Sequence, residues 1–144
     1  MRRPEEILQD HAIVPTIACI EVIEYIINKK TACSLKELQQ ALATRIQQEK
    51  PVNKTTFYRT IDLFEEKGIV HKIDDGTGTA KYAITKQELK DWHFHFHCLE
   101  CGETFCLAEI IPKRLLEIGK NYQVKEANLV LRGICEKCNQ TYIK

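Results

Sequence analysis

The sequence lacks most of what would place it in several large classes of protein. No apolar run approaches the roughly 20 residues of a membrane-spanning helix, and Arg2-Arg3-Pro4-Glu5-Glu6 leads into no apolar signal core. A cytoplasmic protein with no membrane partner is therefore expected. Neither sign of charge is in excess: 21 basic and 20 acidic residues leave +1. The balance holds in each half, with 12 basic and 12 acidic residues over 1–85, and 9 and 8 over 86–144. Any nucleic-acid surface must then come from local arrangement of charge. Neither HExxH nor HxE…PCxxC occurs, which removes the familiar zinc hydrolases and deaminases, and no enzyme is expected. Internal repeats beyond two Cys-x-x-Cys units and low-complexity tracts are also missing. What is left is 144 residues, 44% apolar and 28% charged, the make-up of one ordinary folded domain or two small ones.

Cysteine and histidine are where the chain is rich. Three histidines and three cysteines fall within the fourteen residues His93 to Cys106, HFHFHCLECGETFC. A tetrahedral zinc needs only four ligands, so six are a surplus or the parts of two sites. Seven cysteines in a chain expected in a reducing compartment read first as metal knuckles or redox centres. Cys98-Leu99-Glu100-Cys101-Gly102 and Cys135-Glu136-Lys137-Cys138-Asn139 each let a tight turn point two thiolates at one ion. Gly102 or Asn139 can adopt the left-handed backbone such a knuckle favours. Together the pairs complete a four-thiolate zinc site that staples a small C-terminal domain with a thin core. A thioredoxin-like redox pair is the competing reading, but it needs one pair at a helix start, and here two sit beside strand-like runs. With Cys98 and Cys101 assigned, His93, His95, His97 and Cys106 remain. In a strand the three histidines share one face and Phe94 and Phe96 the other, as half of a metal site or as a solvated polar face.

The first half reads as helices. Thr16 can cap a segment carrying Ile17, Ile20, Ile23 and Ile27 at helical spacing. Ser34-Leu35-Lys36-Glu37 matches a capping box, followed by a stripe of Leu35, Leu38 and Leu42. Asn53 can cap a third helix, Lys54 to Lys67, with Phe57, Ile61 and Phe64 inward and Gly68 at its end. Two short β-like runs, IVHKI (69–73) and KYAI (81–84), flank the glycine-rich DDGTGTA, which reads as a hairpin with a mobile tip. Three helices and a hairpin are the element order of a winged helix-turn-helix. From about residue 85 the pattern changes to alternating segments at 93–98, 103–107 and 122–132, with a short helix from Pro112 to near Gly119. The fold class expected is α+β, divided into 1–84, a hinge at 85–92, and 93–144.

His-x-His three residues before CxxCG, a terminal CxxC and a preceding winged helix together resemble the ferric uptake regulator family of metal-dependent transcription factors. Thr56-Phe57-Tyr58-Arg59-Thr60-Ile61, followed by Glu66-Lys67-Gly68-Ile69-Val70, is similar to that family's recognition helix. The resemblance implies a homodimer with an N-terminal DNA-binding domain and a C-terminal α/β dimerisation domain. It also implies structural zinc at Cys98, Cys101, Cys135 and Cys138, and a regulatory metal near the hinge. Position by position, His93 and His95 match the regulatory histidine pair, and Cys106 stands where an acidic ligand is usual. Cys33 falls close to a ligand histidine of the DNA-binding domain, and Ala83 takes the place of a further acidic ligand. His97 is extra, a spare or supporting group or else a replacement for Cys33 in the set. The family's Thr-x-x-Arg becomes Thr16-x-x-Cys19, and Cys19, among isoleucines, reads as a buried small residue.

The set expected from the resemblance is thus Cys33, His93, His95 and Cys106. Two imidazoles and two thiolates suit Zn²⁺ better than Fe²⁺ or Mn²⁺, which favour more ligands and more oxygen. On the DNA side, Lys54, Thr55, Thr56, Tyr58 and Arg59 would face a double-stranded operator from the first turns of the recognition helix. The resulting expectation is a zinc-activated repressor of metal uptake genes. An iron- or peroxide-responsive regulator of the same family, or a zinc-stapled structural protein, is the alternative.

Overall fold

The computed structural model describes residues 3–45, 54–85, 93–119, 121–124 and 128–142. The chain opens with a short helix, α1 (Pro4–Asp10), that packs Ile7 and Leu8 into the core. Seven residues are too few to show helical periodicity, although Pro4 at the first helical position and Glu5 and Glu6 in the first turn are start signals. α2 (Ile17–Lys29) starts where Thr16 accepts a hydrogen bond from the Cys19 amide at 3.2 Å, and it buries Cys19, Val22, Ile23 and Ile26. It stops at Lys30, a non-glycine residue in the left-handed region (φ +66°).

Ser34 caps α3 (Leu35–Arg45), its hydroxyl accepting from the Glu37 amide at 3.1 Å. Only half of the expected capping box forms in this way. The Glu37 carboxylate turns aside to accept from the Tyr25 hydroxyl (2.9 Å) and from Lys29, tying α3 to α2. α4 (Lys54–Glu66) buries Phe57, Ile61 and Phe64 and ends at Gly68 (φ +76°), as its sequence predicts. Each large apolar side chain so buried contributes about 1.5–3 kcal/mol. Asn53 lies outside the described residues.

Next comes the wing: β2 (Val70–Ile73) and β3 (Lys81–Ile84) pair antiparallel, and β1 (Cys33–Ser34) joins the free side of β3. The register sets Cys33 opposite Tyr82, and Tyr82 opposite Lys72, in one row. His71 and Ala83 form the neighbouring row. Adjacent rows of a pleated sheet face opposite ways. The Cys33–Tyr82 row faces the helices and belongs to the main core, whereas Ile73 and Ala83 pack with Ala32 against Cys106 on the other side.

The C-terminal sheet is ordered β5-β4-β6. β4 (His93–Cys98) runs antiparallel to β5 (Thr104–Ile110) and parallel to β6 (Val130–Gly133). The helix α5 (Lys113–Leu116) and the 3₁₀ turn Glu117–Gly119 lie between β5 and β6. The stretch 122–124 is not strand, so only the end of the alternating 122–132 pattern is a strand among the described residues. Last comes α6 (Glu136–Tyr142), a helix that the sequence reading did not anticipate.

The two sheets share no strand, yet they meet. The Ala32 amide donates to the Thr104 carbonyl (2.8 Å), and the Thr31 hydroxyl to Glu103 (2.9 Å). Lys29 lies 3.3 Å from the Glu103 carboxylate, and the Asn128 side-chain amide donates to the Asp74 carbonyl at 2.9 Å. The hinge predicted at 85–92 falls, apart from Thr85, outside the described residues.

Candidate metal centres

The first centre follows directly from the paired knuckles. Cys98 ends β4, and the turn after it closes through Gly102 in the left-handed region (φ +76°). Cys135 and Cys138 sit at the start of α6. The second pair therefore opens a helix, correcting the expectation that both lie beside strands, and Asn139 is helical instead of left-handed. A lone pair at a helix start would favour redox chemistry, but here the thiols converge. All four Sγ atoms lie within 4.8 Å of one another, with Cys101 and Cys135 at 3.9 Å. Zn–S bonds of about 2.3 Å in a tetrahedron set sulfur atoms about 3.8 Å apart, so the cluster has the right dimensions.

The chain also prepares a thiolate there. Burial of Cys98 acts to raise its pKa, but the backbone amides of Cys101, Cys135 and Glu100 outweigh burial and draw it down to about 6. The Cys101 and Cys135 amides stand 3.4 and 3.3 Å from its sulfur. Cys138 is pushed up to about 12, chiefly by its hydrogen bond with Cys135 and then by burial.

The second centre is assembled across the two sheets. His71 on β2, His95 on β4 and Cys106 on β5 bring their ligand atoms within 4.8 Å of one another. The two Nε2 atoms are 3.4 Å apart, and Cys106 Sγ lies 3.4 Å from Nε2 of His71. His95 and Cys106 are direct cross-strand partners, which is why their side chains arrive together. His71 was not among the residues singled out in the sequence. A signal was present, because His71 lies directly opposite Ala83 in the hairpin register. Ala83 is where the resemblance expects an acidic ligand, and a cross-strand neighbour can bring a donor into the same region of space.

Of the predicted regulatory set, the structure brings His95 and Cys106 together and leaves Cys33 apart. Cys33 is fully buried, its thiol directed to the Thr31 carbonyl at 3.8 Å. The pleat explains the separation: Cys33 stands on the helix-facing side of the wing and His71 on the opposite side. Burial, then the nearby Glu37 carboxylate, pushes the Cys33 thiol up to about 12, and a thiol so held offers little thiolate to an ion or an oxidant. The His93 side chain lies outside those described, and a register shift separates it from His95. His97 is buried on the same face as His95, but its Nδ1 meets the Thr104 hydroxyl at 2.9 Å instead of joining the cluster. Cys19 is a buried core residue, as its surroundings predict.

On α4, Thr55, Thr56, Tyr58 and Arg59 are exposed, opposite the buried Phe57, Ile61 and Phe64. The Tyr58 ring rests edge-on against Phe57, with centroids 5.7 Å apart. Lys54 begins the helix, and its side chain is outside those described.

Comparison with known proteins bears on the whole arrangement. The model of the ferric uptake regulator family matches residues 16–133. The ferric uptake regulation protein of Bacillus subtilis is 32% identical over 87 residues, 58% of this chain and 58% of that one, so the match spans less than two thirds of that relative. The protein of the same name from Vibrio anguillarum is 26% identical over 131 residues, 89% of this chain and 85% of that one. Among solved structures, a zinc uptake regulator complexed with zinc and DNA superposes with a TM-score of 0.73 at 21% identity, covering 97% of this chain and 93% of that chain. A zinc-bound manganese uptake regulator gives 0.66 at 20% identity, covering 93% and 99%. Identities this low carry the fold alone, an α+β chain with an N-terminal winged helix and a C-terminal α/β unit. The sequence match across residues 16–133 carries more: the chain belongs to the ferric uptake regulator family.

Proposed function

We propose that this chain is a metal-responsive, DNA-binding transcriptional regulator that acts as a homodimer, and more narrowly a zinc-activated repressor. One observation carries the reading: His71 comes from the wing, immediately after the exposed helix α4, while His95 and Cys106 come from the C-terminal sheet. An ion bound there supplies a joint attraction to donors of both sheets. Closing these donors on one point fixes α4 relative to the C-terminal sheet. In a dimer joined through C-terminal units, that orientation sets the spacing of two recognition helices on a dyad-symmetric duplex. Metal affinity and DNA affinity must then raise each other by the same factor.

The donor chemistry supports zinc over iron or manganese, since two imidazoles and a thiolate are softer than the N/O sets that Fe²⁺ and Mn²⁺ prefer. His93, placed in the set by the family resemblance, completes it in this reading. Cys98, Cys101, Cys135 and Cys138 hold the second, structural zinc. A peroxide sensor built on Cys33 is disfavoured by the burial and raised pKa of that thiol.

The test is metal analysis of the purified chain, paired with titration of DNA that the protein selects from a random duplex pool. Two zinc ions per chain are expected, one surviving mild chelation and the other controlling DNA affinity. Zn²⁺ should tighten binding more than Fe²⁺ or Mn²⁺. Equal DNA affinity with and without the chelatable ion would overturn the reading.

A further inference from the structure

Asp75 is a carboxylate only 1% exposed, at the root of a hairpin tip. Its own hairpin already satisfies it, with Lys81 Nζ at 2.8 Å and the hydroxyl and amide of Thr77 at 2.6 and 3.1 Å. A fourth donor crosses from the other sheet: the buried Thr104 hydroxyl, at the start of β5, lies 2.6 Å from Oδ2 of Asp75. A hydroxyl has one proton to give. With that proton donated in a hydrogen bond to the carboxylate, Thr104 accepts from His97 Nδ1 at 2.9 Å, and the imidazole donates. The result is a continuous chain, Lys81–Asp75–Thr104–His97, joining the wing to β5 and β4.

Its position relates it to the metal centre. Burial alternates along the wing from His71 through the buried Ile73 to the buried Asp75, with Lys72 and Asp74 exposed between them. His71, Ile73 and Asp75 therefore face the C-terminal sheet together. In that sheet His95 pairs with Cys106, and His97 pairs with Thr104 two residues along both strands. One cross-strand pair meets His71, and the other meets Asp75. The two sheets are thus joined by parallel rows: one of metal donors, the other of hydrogen bonds.

We infer that Asp75 and Thr104 form a latch that needs no metal and positions His71 on His95 and Cys106. This rests on the proposed regulatory site. Without the latch, the ion itself must close the wing onto the sheet, and its apparent affinity falls by the fraction of chains already closed. Hydrogen bonds to charged groups are worth enough to make that fraction matter, on the order of 10- to 100-fold.

The experiment uses the full chain with the four-cysteine site preloaded with zinc, and titrates the second site with Co²⁺. The thiolate-to-cobalt absorption band is followed, with zinc competition giving affinities. Thr104→Val keeps the β-branched shape, the Ala32–Thr104 backbone bond and the Asp75–Lys81 pair, and removes the crossing hydroxyl together with the acceptor it offers His97. It should weaken the second site roughly 10- to 100-fold, and Thr104→Ser, which restores a hydroxyl, should recover most of the loss. Asp75→Asn attacks the latch from the wing side and should weaken the site in the same direction. In a His71→Ala background, Thr104→Val should cause no further loss, because no wing ligand remains to be delivered.

A second site weakened by His71→Ala but untouched by both latch variants would overturn the latch and leave the metal reading standing. An equal loss from Thr104→Val with and without His71 would also overturn it, as general damage to the sheet. If the parent chain takes up no second ion, or takes one up that His71→Ala does not weaken, the regulatory site and the latch's role in it fall together.

Discussion

The two candidate metal centres are built from opposite kinds of connection. At the four-cysteine centre, each half is a turn of four residues, and the chain's geometry aims both thiols before the halves meet. Two such turns, at the end of β4 and the start of α6, then need one encounter to complete the cluster. At the His71–His95–Cys106 centre every donor comes from a different strand, and one comes from a different sheet. The first centre is a staple within one unit; the second exists only while two units stay in contact. A site that reports on domain arrangement must be of the second kind, because a centre held in one unit binds its ion equally well in every arrangement.

The sharpest way to break the comparison is Cys135→Ser. Structural zinc sites in small peptides gather about 10–16 kcal/mol of apparent binding energy. Loss of one of four thiolates should therefore release the structural zinc and unfold the C-terminal sheet, as circular dichroism and metal analysis would report. A folded, zinc-replete variant would mean that the staple is dispensable. His71→Ala comes next: the structural zinc should stay, while the zinc-dependent gain in DNA affinity, ordinarily 5- to 150-fold in such coupled systems, should vanish. DNA titrations with and without zinc check this.

Arg59→Ala should weaken DNA binding by about 1–3 kcal/mol if the guanidinium reads a base, or lower the salt slope by about 1 if it holds a phosphate. Neither metal centre should change. Affinities measured across salt concentrations separate the two outcomes, and no change in either would place the DNA surface elsewhere. Cys33→Ala is a smaller perturbation, costing about 1 kcal/mol of stability as an ordinary core substitution, with the zinc response intact. A lost zinc response would return Cys33 to the ligand set and contradict the facing that the wing register gives it.

The last prediction concerns acid. Burial raises the pKa of Asp75, but bonds from Lys81, Thr104 and Thr77 outweigh it and hold the carboxyl well below the usual range. A depressed carboxylate contributes stability that is fully present above its unfolded pKa of about 4 and is lost as pH falls toward the folded value. Denaturant melts of Asp75→Asn should therefore show a shallower acid-side decline than the parent below about pH 4. Parallel declines would mean that folding does not lower the pKa of Asp75.

Much of the architecture was legible because it is written at short range. Thr16 and Ser34 cap the helices they precede, Phe57, Ile61 and Phe64 share a helix face, and the knuckle spacing announces the four-cysteine cluster. α1 was missed because seven residues carry no period, and its stability comes from packing on α2. α6 was missed because a polar heptapeptide after a knuckle gives no apolar stripe to read. Within β4, alternation correctly set His95 and His97 on one face, and within the hairpin, His71 was always destined to face away from Cys33.

What no local pattern decides is which surface lies opposite a given face. The sequence by itself determined the longer elements, the knuckles and the family of folds, since propensity, capping and turn chemistry act over a few residues. Only the tertiary structure decided that the wing lies against β4 and β5. That contact brings His71 into the donor cluster with His95 and Cys106, leaves Cys33 apart from it, and turns the carboxylate of Asp75 from a hairpin anchor into a bond between sheets. The physical reason is that a strand's pleat fixes the direction of a side chain relative to its own sheet, whereas a ligand set drawn from two sheets depends on how their whole surfaces pack.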